Sequence, residues 1–124
     1  MSHAEIKFIE EAKEDLRDLD GDARKLVVKA ILKLETNPEL RGVPLGNNAS
    51  VGDLTGLRKL VVGNRTYRIV YDVRDNNTVV VIWVIGKRVD YKAYELARAR
   101  IDLYTNDAIK RAALHALLNK VRPS

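Results

Sequence analysis

The chain has 124 residues, no cysteine, and two histidines, His3 and His115, near opposite ends. That length supports one buried core, while the composition argues against a disulfide framework, a thiolate metal site and a Ser-His-Asp triad, so no metal or other cofactor is expected. No stretch approaches the ~20 apolar residues of a membrane span, and the acidic start MSHAEIKFIEEAKED does not read as a signal peptide, so a soluble cytoplasmic protein with no membrane partner is expected. The net charge of +5 is uneven: Met1–Gly56 holds 11 acids against 8 Lys/Arg, and Leu57–Ser124 holds 6 against 14. Basicity gathered in the second half points to a polyanion, with a merely solvated basic face as the competing reading.

The first element, AEIKF at Ala4–Phe8, is short and fits a strand. Ile9, Ala12, Leu16 and Leu19 then recur at helical spacing. DLDGD breaks that pattern, and Asp22 is a candidate N-cap for a second helix from Ala23 to about Thr36, whose stripe is Leu26, Val27, Ala30, Ile31 and Leu34. Asn37-Pro38 ends it, because proline disfavours helix in the residue before it. The result is a helical hairpin with one apolar face, which needs a sheet to lie on. Glu39–Gly56, with glycines at 42, 46, 52 and 56 and Pro44, reads as loop.

The period then changes to two. LRKLVV (Leu57–Val62), TYRIVYDVR (Thr66–Arg74) and TVVVIWVI (Thr78–Ile85) read as three strands joined by turns at Gly63-Asn64 and Asp75-Asn76-Asn77. Short turns make this an antiparallel meander, and the last strand is apolar enough to be covered on both faces. A helix begins near Asp90, a candidate N-cap, and Asn106 or Asp107 caps a last helix, AIKRAALHALLNKV. Its broad apolar stripe should pack on the domain or on a partner. The predicted fold class is α+β: an N-terminal helical hairpin on a small antiparallel sheet, followed by C-terminal helices.

Alternation along TYRIVYDVR places Arg68 opposite Tyr67, Ile69 and Tyr71, on what should be the open sheet face. The uniform LRKLVV leaves open whether Arg58 or Lys59 shares that face. Arg88 lies just past the end of the last strand. Lys59, Arg68, Arg88 and Tyr94 can therefore gather around one concavity. Arginine grips phosphate with two prongs, and a fixed cation stabilises a phosphate under attack. Tyrosine stacks on bases or exchanges a proton. RNA carries its own nucleophile, the 2′-hydroxyl, so a base, an acid and an anion clamp suffice to cut it. Taken singly, each residue has a plainer explanation: Arg68 as a surface ion pair, Tyr94 as packing, and Lys87-Arg88 as a charged stop against edge aggregation.

Taken together, LTGLRKLVVGNRTYRIVYDVRDNNTVVVIWVIGKRVDYKAY resembles the RelE/ParE superfamily of bacterial toxins, in its RelE branch. YRIVYDV, the apolar strand, and IGKR followed by Tyr94 carry the resemblance; LETNPELRGVPL also fits, and the likeness spans about Ala4–Leu103. It implies a type II toxin that cuts translated mRNA on the ribosome by metal-independent 2′-hydroxyl attack and so inhibits translation. It also implies catalytic residues Lys59, Arg68, Arg88 and Tyr94, RNA contacts from Arg58, Arg65, Lys87 and Tyr91, and a cognate antitoxin forming a hetero-oligomer. The family's frequent second basic residue falls at Val61, with Arg65 on the hairpin as a substitute, and the identity of the general base stays open. A gyrase inhibitor on the same fold, a branch that lacks this basic-plus-tyrosine set, and a non-catalytic RNA-binding module are the alternatives. Residues 1–103 are expected to form the toxin domain and 104–124 a helical extension.

Overall fold

The computed structural model describes residues 3–48, 52–87 and 89–118. Strand β1 (Glu5–Phe8) leads into helices α1 (Glu10–Arg17) and α2 (Gly21–Leu32), and a turn of 3-10 helix at Pro38–Leu40 precedes β2 (Val43–Asn48). Then come β3 (Gly52–Val62), β4 (Tyr67–Arg74), β5 (Val79–Gly86), α3 (Asp90–Asn106) and α4 (Ala108–Leu118). The sheet order is β1-β5-β4-β3-β2. The expected meander β3-β4-β5 is antiparallel. Its two edges extend it: β1 pairs parallel with β5, and β2 antiparallel with β3.

The span expected to be loop, Glu39–Gly56, holds all of β2 and the start of β3. Its helix and strand breakers survive because β2 is an edge strand, where the missing N–H of Pro44 need not leave a ladder bond unmade. Gly42, with φ +63°, leads into β2 under a tight constraint: a Cβ there would stand 2.3 Å from the Lys59 carbonyl oxygen. The second turn holds Asp75, Asn76 and Asn77 all at positive φ, a conformation Asn and Asp tolerate better than other side chains.

Helix α2 is capped by Asp20, whose carboxylate accepts from the Ala23 N–H at 2.9 Å, and not by Asp22, which lies inside the first turn. Arg24 stitches the hairpin, donating to the Arg17 and Leu19 carbonyls at the end of α1. The helical stripe buries Ala12, Val27, Ile31 and Leu34, and β5 buries every residue from Val80 to Gly86. Each fully buried Ile or Val side chain contributes about 1.5–3 kcal/mol.

Beyond Ile82, where β1 ends, the outer edge of β5 is closed by an ion pair. Asp15 of α1 accepts from the Ile85 N–H at 3.0 Å, and Arg100 of α3 donates to the Trp83 carbonyl at 2.8 Å. The two side chains bind each other at 2.7 Å and are only 9% and 12% exposed. Helix α3 thus roofs part of the sheet face that the sequence left open, burying Ala93, Ala97 and Tyr104. The roof runs without a break through Leu103 to Asn106. In the last helix the backbone N–H of Lys110 donates to Asp107, as expected of a cap. Helix α4 buries none of its residues fully; Leu114 and Leu118 lean on the core, while Ile109 is 81% exposed.

Candidate functional site

Register decides which residues of β3 join Arg68. Val61 pairs with Arg68, Lys59 with Val70, and Leu57 with Asp72, so these six share the α3 face. Arg58 pairs with Tyr71 and points to the opposite face. There its guanidinium donates to the Arg41 carbonyl at 2.8 Å and the Gly42 carbonyl at 3.3 Å, fastening the segment before β2. The Tyr71 hydroxyl donates to the same Arg41 carbonyl at 2.6 Å. Arg58 is therefore not brought together with the other site residues.

Lys59 and Arg68 converge on a single carboxylate. Lys59 Nζ stands 2.9 Å from Asp90 Oδ2, and Arg68 Nε 2.7 Å from Asp90 Oδ1. Arg68 is further fixed by donating to the Arg65 carbonyl at 2.7 Å. Lys59, Arg68, Arg65, Val43, Val61 and Asp90 line a concavity of about 450 Å³. Tyr94 lies one helical turn beyond Asp90, on the same side of α3, with the Lys59 ammonium 5.7 Å from its ring centre.

These contacts set the protonation states. The Arg68 hydrogen bond, opposed by some desolvation and aided by Lys59, holds the Asp90 carboxyl below the usual carboxylate range. Burial draws Lys59 down, but interactions with the Tyr94 hydroxyl and Asp90 outweigh it and leave its pKa raised. Lys59 is thus a fixed ammonium at neutral pH, suited to stabilising negative charge or giving up a proton to a strongly basic leaving oxygen. Among the described residues no group of three His, Asp or Glu side chains is placed to hold a metal ion.

The family model of the ParE toxin of the type II toxin-antitoxin system parDE matches residues 6–91. The chain belongs to the RelE/ParE superfamily of toxins. Its toxin fold is similar to that of the RelBE2 toxin-antitoxin complex of Mycobacterium tuberculosis, at 30% identity and a TM-score of 0.60 over 73% of this chain and 97% of that one. A mutant of the Escherichia coli toxin RelE in the free state aligns at 25% identity and a TM-score of 0.58, over 82% and 99% of the two chains. An archaeal RelE-RelB complex from Pyrococcus horikoshii shares the fold at 18% identity and a TM-score of 0.52, over 73% and 99%. No curated protein sequence matches.

Of the residues expected at the site, the toxin brings Lys59, Arg65, Arg68 and Tyr94 together. Arg88 lies outside the described residues. Lys87 is exposed and borders a separate hollow beside Asp15 and Asp18. Tyr91 is half exposed, and the Glu95 carboxylate accepting from its hydroxyl pushes its pKa up. Asp90 is the residue that sequence reasoning missed. It was expected as an N-cap, but Val89 holds that position, and Asp90 opens the first turn with its carboxylate on the clamp. Its spacing of four from Tyr94 was the available signal, since it put both on one side of the helix.

Proposed function

We propose that this toxin is an endoribonuclease that cuts translated mRNA on the ribosome and so inhibits translation. The observation that carries the proposal is the pair of cations, Lys59 and Arg68, fixed 2.9 and 2.7 Å from one carboxylate within a concavity open to a polyanion. Two cations that hold a carboxylate between them are spaced to hold a phosphate. In the reaction the 2′-oxygen bonds to phosphorus, the bond from phosphorus to the 5′-oxygen breaks, and a 2′,3′-cyclic phosphate remains. A base takes the 2′-hydroxyl proton and an acid protonates the departing 5′-oxygen. Arg68, with Arg88 from the strand end, stabilises the phosphate in the transition state. Lys59, held as an ammonium, fits the acid, and Tyr94 fits a base or a stacking partner. Arg65 extends the positive rim from the hairpin.

Residues 1–103 would form the catalytic domain, with 104–124 an extension. The similar Mycobacterium structure is a toxin-antitoxin complex, and a cognate antitoxin, with an acidic segment over the basic face, is the matching partner here. Gyrase inhibition is the second reading, favoured by the family model, which is that of ParE. Inducing the chain in cells and mapping mRNA ends and DNA breaks together tests both. Codon-positioned cuts that vanish in Arg68→Ala, with unbroken DNA, support the ribonuclease. Intact mRNA with gyrase-dependent breaks would establish the other reading.

A further inference from the structure

The face that carries the clamp continues along the sheet. Leu57 and Asp72 sit two residues past Lys59 and Val70 on their strands, roughly 7 Å away by strand rise. Arg98 and Ile101 follow Tyr94 by four and seven positions on α3, and so stay on one side of that helix. Between these elements lies a cavity of about 190 Å³, floored by Trp83. The strand register slips at this point: Val70 pairs with Val84 but Tyr71 with Ile82, which leaves Trp83 as the extra residue of a bulge on β5. Bulges of this kind re-aim a side chain. Tyr104 holds the indole edge-on, with ring centres 5.7 Å apart and planes at 83°.

Trp83 is 2% exposed, and its Nε1 has no hydrogen-bond partner. It is near enough to Asp72 to help lower the pKa of that carboxyl, which burial raises overall, without reaching hydrogen-bond geometry. A buried donor with no partner is rare in a folded protein. The cations around it are already engaged: Arg74 binds Asp72 at 3.0 Å, and Arg98 binds Asp102 at 3.3 Å. The cavity therefore does not call for an anion. It offers a neutral donor beside a carboxylate acceptor, between the apolar walls of Leu57 and Ile101. An adjacent donor and acceptor beside apolar side chains complement the edge of a nucleobase. The volume lies below the ~300 Å³ at which drug-sized pockets begin, so one ring system fits and a whole nucleotide does not.

We propose that this cavity is a base-recognition pocket, in which Trp83 Nε1 donates to, and Asp72 accepts from, the edge of one unpaired RNA base neighbouring the scissile phosphate. It rests on the ribonuclease reading for its polymer, and it names the residues that would set sequence preference at the cut.

Trp83 is the only tryptophan of the chain, so its indole N–H gives a single reporter resonance. The protein labelled with ¹⁵N is titrated with each of the four nucleoside 5′-monophosphates and with ribose 5-phosphate, which has the sugar and phosphate but no base. The expected result is a saturable shift of the indole signal with at least one nucleotide and none with ribose 5-phosphate. Ile101→Phe, which fills the cavity, should weaken that binding about 10-fold or more while leaving phosphate binding at the clamp unchanged. Asp72→Asn, close to the native shape, should change the ranking of the four nucleotides. The proposal is overturned if no nucleotide moves the indole, or if ribose 5-phosphate moves it equally. Because the readout needs no cleavage, an indole that responds to bases in a chain that leaves mRNA intact would refute the ribonuclease and spare the pocket.

Discussion

Asp90 occupies the seat that a phosphate would need, and replacing it separates binding from turnover. In Asp90→Asn the side chain keeps its shape and loses its charge, while Lys59 and Arg68 remain. Two unit charges 4 Å apart interact by ~4 kcal/mol at an effective dielectric of 20 and by ~1 kcal/mol in water. The cations are 16% exposed but Asp90 is 44% exposed, which places the site near the solvent limit. Removing the competing carboxylate should then favour an incoming anion by about 1–2 kcal/mol, a factor of roughly 5–30 in Kd. The same substitution should cost folding stability no more than ~1 kcal/mol. The assay is fluorescence anisotropy with a short RNA carrying a 2′-O-methyl sugar at every position, so that it binds without being cut, at low and moderate salt. Tighter binding that narrows as salt rises is expected. Unchanged or weaker binding would refute the competition and make Asp90 an orienting group whose charge the clamp requires.

The remaining predictions concern stability. Arg100→Ala strands the Asp15 carboxylate and the Trp83 carbonyl at the unpaired end of β5, and should destabilise the fold by about 3 kcal/mol in urea unfolding; a loss under ~1 kcal/mol would show the edge to be closed by other means. Glu11 and Asp90 both have lowered pKa values, Glu11 because the Tyr104 hydroxyl and Lys110 outweigh its burial. A lowered carboxyl stabilises the fold above its unfolded pKa, and that stabilisation is lost as pH falls through the folded value. The gap in unfolding free energy between wild type and Glu11→Gln should therefore be present at pH 7 and close towards pH 3; a gap that is the same at both would contradict the assignment. Lys59 is raised, so its contribution should persist through neutral pH and fail only in strong alkali.

Much of the fold is written locally. The spacing of Ala23, Val27 and Ile31 makes a one-faced helix, although Leu26 of the expected stripe is 41% exposed, and the unbroken Val79–Ile85 run makes a strand buried on both sides, because side-chain direction follows backbone period. Bringing Arg68 and Tyr94 to one side of the sheet also follows from alternation and from the motif that ends in Tyr94. Edge pairing was not legible: β2 carries proline and glycine that read as loop, and only its place at the sheet margin makes them tolerable. The N-cap of α2 was misplaced by two residues, since Asp20 and Asp22 are chemically alike and the backbone path chooses between them.

By itself the sequence determined most of the element types, though not the edge strand β2, together with the superfamily and the candidate cations, since these depend on residue order over a few neighbours. Tertiary structure decided which lysine or arginine of β3 faces the clamp, that Arg58 is tied to backbone carbonyls, and that Asp90 bridges Lys59 and Arg68. It also decided that the register slips by one residue at Trp83, which lines another cavity beside Leu57 and Asp72. Each of these depends on register between strands and on where α3 lies across them. A slip of one residue exchanges the two faces of a strand without changing a single amino acid.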